Sequence, residues 1–394
     1  MFNKDNFFKS YSLESNKYYQ NIKKTKKICN TIIKEIKSKK NPLFETFKKD
    51  YEFDFSNSLV KKISKYKNII IVGVGGSTSG SKCIYSFLKK NIKKNFFFLD
   101  NLDLNLHLEY QKIKNLKNSC FVVISKSGNT LETITNFNEL TSKSSVKGRL
   151  VIITEIKNSL LMSFAKKYNA KIIEHKKYIG GRYSVLSETG MFPAALMGLK
   201  LEKFKSLKNL ISNKNFITSL IKNVATIYTL NLNKINNSII LNYDSNLNDL
   251  GFWYQQLVAE SLGKKGKGIN PILSFCPKDH HSLLQLYIEG PKDKFFTFFT
   301  SSNKKGNFKT TQNVIRAQSN ALKNIFKTKK IPFRSINFNN KNEDEIGKIF
   351  VFFFLETIIL ARLMNVNPFN QPAVEQVKIE TKKLLGQDFS KNYF

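Results

Sequence analysis

Asn68-Ile69-Ile70-Ile71-Val72-Gly73-Val74-Gly75-Gly76-Ser77 is an apolar, β-branched run that closes on a glycine-rich turn. A run this short, with no polar alternation, predicts a strand over 68–74 that is buried on both faces. The glycines predict a tight turn, and a helix follows from about Gly80 to Lys89. The plan then repeats. Cys120 to Ile124 is a second apolar strand, Ser125-Lys126-Ser127-Gly128-Asn129-Thr130 is a polar turn, and helical spacing continues through Phe137. Leu150 to Thr154 is a third strand. Short apolar strands alternating with helices predict an α/β protein whose parallel sheet is covered on both faces.

Outward from this core, Phe192 to about Leu230 reads as mainly helical, and then the alternation resumes. Strands are predicted at Ser238–Tyr243, Phe295–Thr300 and Ile331–Phe338, with helices at Leu250–Gly263 and Thr311–Phe326. The chain closes in helices near Glu343–Met364 and Gln371–Leu385. Residues 1 to about 60 carry Ile22, Ile28, Cys29, Ile32, Ile33 and Ile36 at helical spacing among many lysines. The expected organisation is therefore a helical segment 1–60, flavodoxin-like αβα lobes at 61–220 and 221–365, and a helical segment 366–394. No long Pro/Gly/Ser linker separates the lobes.

Composition bounds the partners. Lys and Arg total 65 against 29 Asp and Glu, a formal charge of +36. Such a charge suits nucleic acid when it is clustered, but here lysine is spread along the whole chain, and Asn, Ile and Phe are abundant too. That pattern fits AT-rich coding, so no specific nucleic-acid partner is expected; a basic surface would still attract anionic substrates. Cys29, Cys83, Cys120 and Cys276 lie far apart, which fits reduced thiols in a cytoplasmic protein rather than a disulfide framework or a zinc site. Met1 to Tyr19 lacks the apolar stretch of a signal peptide. Ile349 to Ala361 is strongly apolar but short and interrupted by Glu356, so it predicts a buried helix and no membrane partner.

Two strand ends carry chemistry. At Gly75-Gly76-Ser77 the missing side chains would let an anion reach the backbone at a helix N-terminus, although any tight strand-to-helix turn also calls for glycine. The turn lacks the Lys-Ser/Thr ending of a P-loop, and no acidic residue is placed to hold a dinucleotide ribose. Ser125, Lys126, Ser127 and Thr130 are denser in polar groups than a helix cap requires, which favours phosphate binding. Gln256 and Glu260 stand four apart in a helix and share a face, with Leu257, Val258, Ala259 and Leu262 as sequence neighbours. Periodicity alone favours a solvated Glu260. Arg182, directly after Gly180-Gly181, could stabilise an oxyanion or simply sit on a surface turn. His280 and His281 are adjacent and project differently; no other His or Cys stands at ligand spacing, so no metal is expected.

Taken in order, these segments resemble the glucose-6-phosphate isomerase (phosphoglucose isomerase) family from about residue 68 to 385. The resemblance lies in the first glycine-rich turn, in Ser125 to Thr133 with Glu132 and Thr133, and in Gly180-Gly181-Arg182-Tyr183-Ser184 with Val185-Leu186-Ser187. It extends through Trp253 to Gly268 and the run Asn367-Pro368-Phe369-Asn370-Gln371-Pro372-Ala373-Val374-Glu375-Gln376-Val377-Lys378. Five motifs in order are specific where one would not be.

The resemblance implies sugar-isomerase-like lobes and reversible conversion of glucose 6-phosphate to fructose 6-phosphate through a cis-enediol, in glycolysis and gluconeogenesis, without a cofactor. It also assigns roles. Ser125, Lys126, Ser127 and Thr130, helped by Ser77, would hold the phosphate, and Glu260 would move the proton between C2 and C1. Arg182 would stabilise the enediolate, while Gln256 and Gln371 would line the sugar. His281, followed by Ser282-Leu283-Leu284-Gln285, matches a ring-opening histidine supplied by the neighbouring subunit of a homodimer, and Lys378 matches a lysine that assists it. Departures are His280 where Gln is frequent, Asn370 where Asp is frequent, Val377 where Gly is common, and a shortened segment from Ile272 to Asp279. The rival readings are a phosphoglucose/phosphomannose isomerase and a non-catalytic phosphosugar-binding protein; the latter usually lacks the Glu/His pair.

Overall fold

The computed structural model describes residues 7–8, 11, 13, 15–105, 116–143, 145–302 and 308–393. Parts of the expected end segments 1–60 and 366–394 fall outside them. The chain divides into two compact units, Asp50–Leu201 with Phe369–Phe394, and Met1–Lys49 with Glu202–Pro368. Each holds one parallel sheet.

In the first unit, β1 (Asn68–Val72), β2 (Asn95–Leu99), β3 (Ser119–Ile124), β4 (Leu150–Thr154) and β5 (Lys171–Glu174) pair in the order β2-β1-β3-β4-β5. All pairings are parallel, with Val72 opposite Leu99 on one side and Val123 on the other. One face of the sheet (Ile70, Val72, Phe121, Val123, Ile152) packs with Ile134 and Phe137 of the helix Leu131–Lys143 and with Leu161 and Phe164 of the helix Leu160–Tyr168. Ile69, Ile71 and Val122 on the opposite face are equally buried, as a doubly covered sheet requires.

The second unit holds β6 (Asn237–Asn242), β7 (Asn270–Phe275), β8 (Lys294–Ser301) and β9 (Phe333–Phe338), all parallel, in the order β7-β6-β8-β9. Ile239, Leu241, Phe296 and Phe298 pack with Leu322 and Phe326 of the helix Lys309–Thr328. The helix Glu343–Leu363 is buried almost all round, which accounts for its apolar sequence. Trp253 meets its Phe350 ring at 4.7 Å between centroids. Among the described residues no helix is long and apolar enough to cross a membrane.

The N-terminal helix Asn16–Lys37 belongs to this unit and packs on the helix Lys214–Leu232. Its buried stripe is Asn21, Thr25, Cys29, Ile32 and Ile36, so the contact begins with polar residues. Asn21 donates to Thr229 Oγ1 at 2.9 Å. Farther along, Arg362 holds Glu35 through both guanidinium Nη atoms, at 3.0 and 2.7 Å.

The outer strands differ most from the sequence expectation. β2, β5 and β7 were not predicted, and all three are edge strands. An edge strand is paired on one side only and carries fewer buried positions, which weakens the apolar run in β5 and β7 but not in β2, where Phe96–Leu99 is apolar throughout. In β5 only Ile173 is buried, and β7 holds Pro271. β9 also lies at an edge, yet its sequence reads as buried. Phe8 N–H donates to Phe333 O at 3.0 Å and Phe7 bridges Arg334, so that edge is covered.

Candidate active site

In an open parallel sheet, ligands bind outside the carboxyl ends of the strands where the strand order reverses. In the β1–β5 sheet the order reverses between β1 and β3, and both predicted phosphate turns leave that point. Gly73 lies so close to the end of β3 that a Cβ there would stand 2.7 Å from Ile124 O. Gly75 adopts a φ of 58°, which favours glycine.

The second turn is built by its own hydroxyls. Ser125 and Thr130 are hydrogen-bonded at 2.8 Å, and Ser127 lies 3.4 Å from Thr130. Ser125 Oγ accepts from Gly128 N–H, and Ser127 Oγ from Asn129 N–H. Ser125 is buried while Ser127 is exposed, so the cluster runs from the core to the surface. The helix Leu131–Lys143 starts directly behind it and directs its positive end toward the turn.

Lys126 donates to Lys177 O at 2.8 Å and stands 3.7 Å from Glu155. Burial pushes its pKa down; Glu155 opposes this, and Lys157 and Arg182 add to it. Next to it, His175 is buried, and burial together with Lys126 holds its pKa at about 4, so the ring is neutral near pH 7.

Arg182 is brought to the same end of the sheet by a backbone fit. A Cβ on Gly76 would lie 2.2 Å from the carbonyl carbon of Gly181, so the two glycine turns pack backbone to backbone. Ser184 Oγ donates to Gly76 O at 3.1 Å and fastens them. Arg182 is buried, donates to Gln371 Oε1 at 2.7 Å and to Asn370 O at 3.1 Å, and lies over the Tyr183 ring. It is therefore not a surface arginine on a turn. Ser77, Ser125, Lys126, Ser127, Thr130, Arg182 and Gln371 all belong to this unit. Lys378, in the same unit on the helix Pro372–Tyr393, is exposed and paired with Glu375 at 2.6 Å.

In the other unit, the helix Asn248–Leu262 buries Leu257, Val258 and Leu262 against the core and leaves Gln256 and Glu260 half-buried on another face. Gln256 Nε2 donates to Glu260 Oε1 at 2.8 Å. Lys264 Nζ reaches the carbonyls of Glu260, Ser261 and Asn367 at 2.7–2.8 Å and closes the helix end.

The two histidines separate as their adjacency requires. His280 Nε2 bonds Tyr243 OH at 2.8 Å, and burial, with His281 beside it, lowers its pKa. His281 is exposed. Asp279 holds their loop by accepting from Ser274 Oγ at 2.9 Å and Phe275 N–H at 2.6 Å. Sequence reading passed over Asp279, His175 and the Asn370 carbonyl; a lone acid, a lone histidine and a backbone oxygen leave no spacing pattern. Among the described residues no group of three or more His, Cys, Asp or Glu is placed to hold a metal.

Comparison with known proteins supplies the family. The family model described as phosphoglucose isomerase matches residues 22–275. Glucose-6-phosphate isomerase of Methanocaldococcus jannaschii is 31% identical over 361 residues, covering 86% of this chain and 89% of the relative. Glucose-6-phosphate isomerase of Campylobacter jejuni is 28% identical, with 84% and 89% covered. Among solved structures, a hypothetical protein of Thermus thermophilus superposes with a TM-score of 0.73 at 20% identity, covering 95% of this chain and 92% of that one. A Chlamydia trachomatis glucose-6-phosphate isomerase gives 0.71 at 18%, with 84% and 72% covered. The structural matches share the fold, and the sequence matches carry the relationship: the chain belongs to the phosphoglucose isomerase family.

Proposed function

We propose that this protein interconverts glucose 6-phosphate and fructose 6-phosphate by moving one proton between C2 and C1. The observation that carries the reading is the hydroxyl-and-lysine turn at the switch point of the β1–β5 sheet, a phosphate grip that a structural cap does not need. Ser125, Ser127 and Thr130 donate to phosphate oxygens, Lys126 adds charge, and Ser77 contributes from the neighbouring turn. Glu260 takes the proton from C2 and returns it to C1. A proton passes between O2 and O1, so substrate and product are isomers and nothing else is consumed.

Gln256 orients the Glu260 carboxylate by its 2.8 Å bond. Arg182, already fixed by Gln371 and Asn370, stabilises the enediolate without having to reorganise. His281, exposed on its own subunit, opens the sugar ring in the partner subunit of a homodimer, and Lys378 assists. The positive charge steers an anionic substrate, and four unbridged cysteines suit a cytoplasmic enzyme.

A coupled assay with each hexose phosphate tests this. Reversible turnover is expected, and absence of turnover in both directions with folded protein overturns the reading. Mannose 6-phosphate in the same assay reports whether the C2 epimer is discriminated.

A further inference from the structure

The four-stranded sheet has a switch point of its own. From β6 the chain turns to β7 on one side and to β8 and β9 on the other, so the crevice lies outside the carboxyl ends of β6 and β8. A cavity of about 580 Å³ opens there, and none of the residues given a role above lines it.

Its lining is built for an anion. Among the described residues that line it, Lys341, Arg316 and Lys323 stand against a single carboxylate, Asp244. That carboxylate is already occupied, because Lys341 Nζ and Ser301 Oγ both donate to Asp244 Oδ2 and Asn246 N–H donates to Oδ1 at 3.0 Å. Burial pushes the Asp244 carboxyl pKa up, and these bonds more than offset it, so the net direction is down. Among the described residues, neither Arg316 nor Lys323 pairs with a carboxylate. Lys323 Nζ lies 5.2 Å from the centre of the Phe298 ring, and burial, with Lys327 nearby, lowers its pKa.

A second observation is independent of charge. Ser319 is 2% exposed, lines the cavity, and among the described residues its Oγ has no hydrogen-bond partner. Folded proteins rarely leave a buried hydroxyl unmet. Arg316, Ser319 and Lys323 follow one another at spacings of three and four on the helix Lys309–Thr328, so one helix face presents two cations and this hydroxyl together. The remaining lining is largely hydroxyl and amide side chains, which match the hydroxyls of a polyol. A lone phosphate would leave most of the volume unfilled.

We infer that this crevice is a second ligand site, specific for a small phosphorylated polyol such as a sugar phosphate and separate from the site of isomerisation. The phosphate rests on Arg316 and Lys323, and the polyol hydroxyls meet Ser319 and the strand-end residues around Ser301.

Calorimetry with sorbitol 6-phosphate tests this, because that probe has no carbonyl and cannot be turned over. The full-length double variant Arg316→Gln/Lys323→Met is expected to bind one equivalent fewer per chain than the unaltered protein while keeping its turnover of fructose 6-phosphate. Equal stoichiometry in the two proteins overturns the proposal. The comparison is between variant and parent, so it reads the same whether or not the isomerase reading holds. Orthophosphate at equal concentration is expected to leave the probe in place; displacement to the same extent overturns the polyol assignment. Should the double variant not fold, hydrogen exchange on the unaltered protein serves instead. Saturating probe should protect residues 244–246 and 316–323, and no change in either segment overturns the site.

Discussion

Gln256 Nε2 donates to one oxygen of Glu260 and so orients the carboxylate. Glu260→Gln keeps the shape and loses the base, so kcat should fall by roughly 10²–10⁴-fold with KM little changed, since general-base catalysis is worth about that much. Near-normal kcat in steady-state assays removes Glu260 from the role. His175 makes a prediction about stability. Its pKa in the folded protein is about 4, below the ordinary 6.5, so between those values the unfolded chain binds a proton that the folded chain refuses. Stability is therefore present above pH 6.5 and is lost as pH falls toward 4, by about 3 kcal/mol at one pKa unit per 1.36 kcal/mol. Urea midpoints between pH 7 and 4.5 should fall less steeply in His175→Gln than in the parent; parallel slopes would exclude this origin. Arg334 is the buried counterpart. It meets Glu356, Asn223, Tyr254 and Thr297 in a fully enclosed network, so Glu356→Gln should cost about 3–5 kcal/mol in denaturant melts by leaving a buried cation without its partner.

At the scale of elements, the two glycine turns of the β1–β5 unit make unequal demands. Gly76→Ala would press a methyl group into the Gly181 carbonyl, whereas a Cβ on Gly181 would meet Gly76 no closer than 3.6 Å. Gly76→Ala should therefore destabilise the protein by about 1–3 kcal/mol, the usual range for overpacking. Gly181→Ala should be nearly neutral, and equal melting temperatures for the two variants would contradict the close approach. The central strands and their turns were legible because β1, β3 and β4 are buried on both faces and say so in Ile and Val. The edge strands β5 and β7 were not, because half-exposed strands tolerate Lys, Glu and Pro; that reason does not extend to β2, with its apolar run Phe96–Leu99. The phosphate turn was legible as a density of hydroxyls. Glu260 was not legible from periodicity, since one carboxylate on a helix reads alike in a site and in water. The motif order supplied what spacing could not. The crevice at β6 and β8 escaped notice for a different reason: Asp244, Ser301, Lys341 and Arg316 come from four separate segments, and only the folded sheet gathers them.

For the whole molecule, a net charge of +36 makes capture of an anionic substrate sensitive to salt. KM for fructose 6-phosphate should rise between low and physiological ionic strength while kcat holds. A flat KM would confine the positive charge to solubility. The N-terminal helix Asn16–Lys37 belongs with Glu202–Pro368, so one compact unit is assembled from distant parts of the chain. That arrangement has a consequence in time. The 195 residues after Lys37, through Leu232, must be made before its partner helix is complete, which at roughly 5–20 residues per second is about ten to forty seconds of waiting. Through that interval Cys29, Ile32 and Ile36 lack that cover, and the helix's seven lysines, Lys34 among them, keep the nascent segment in water.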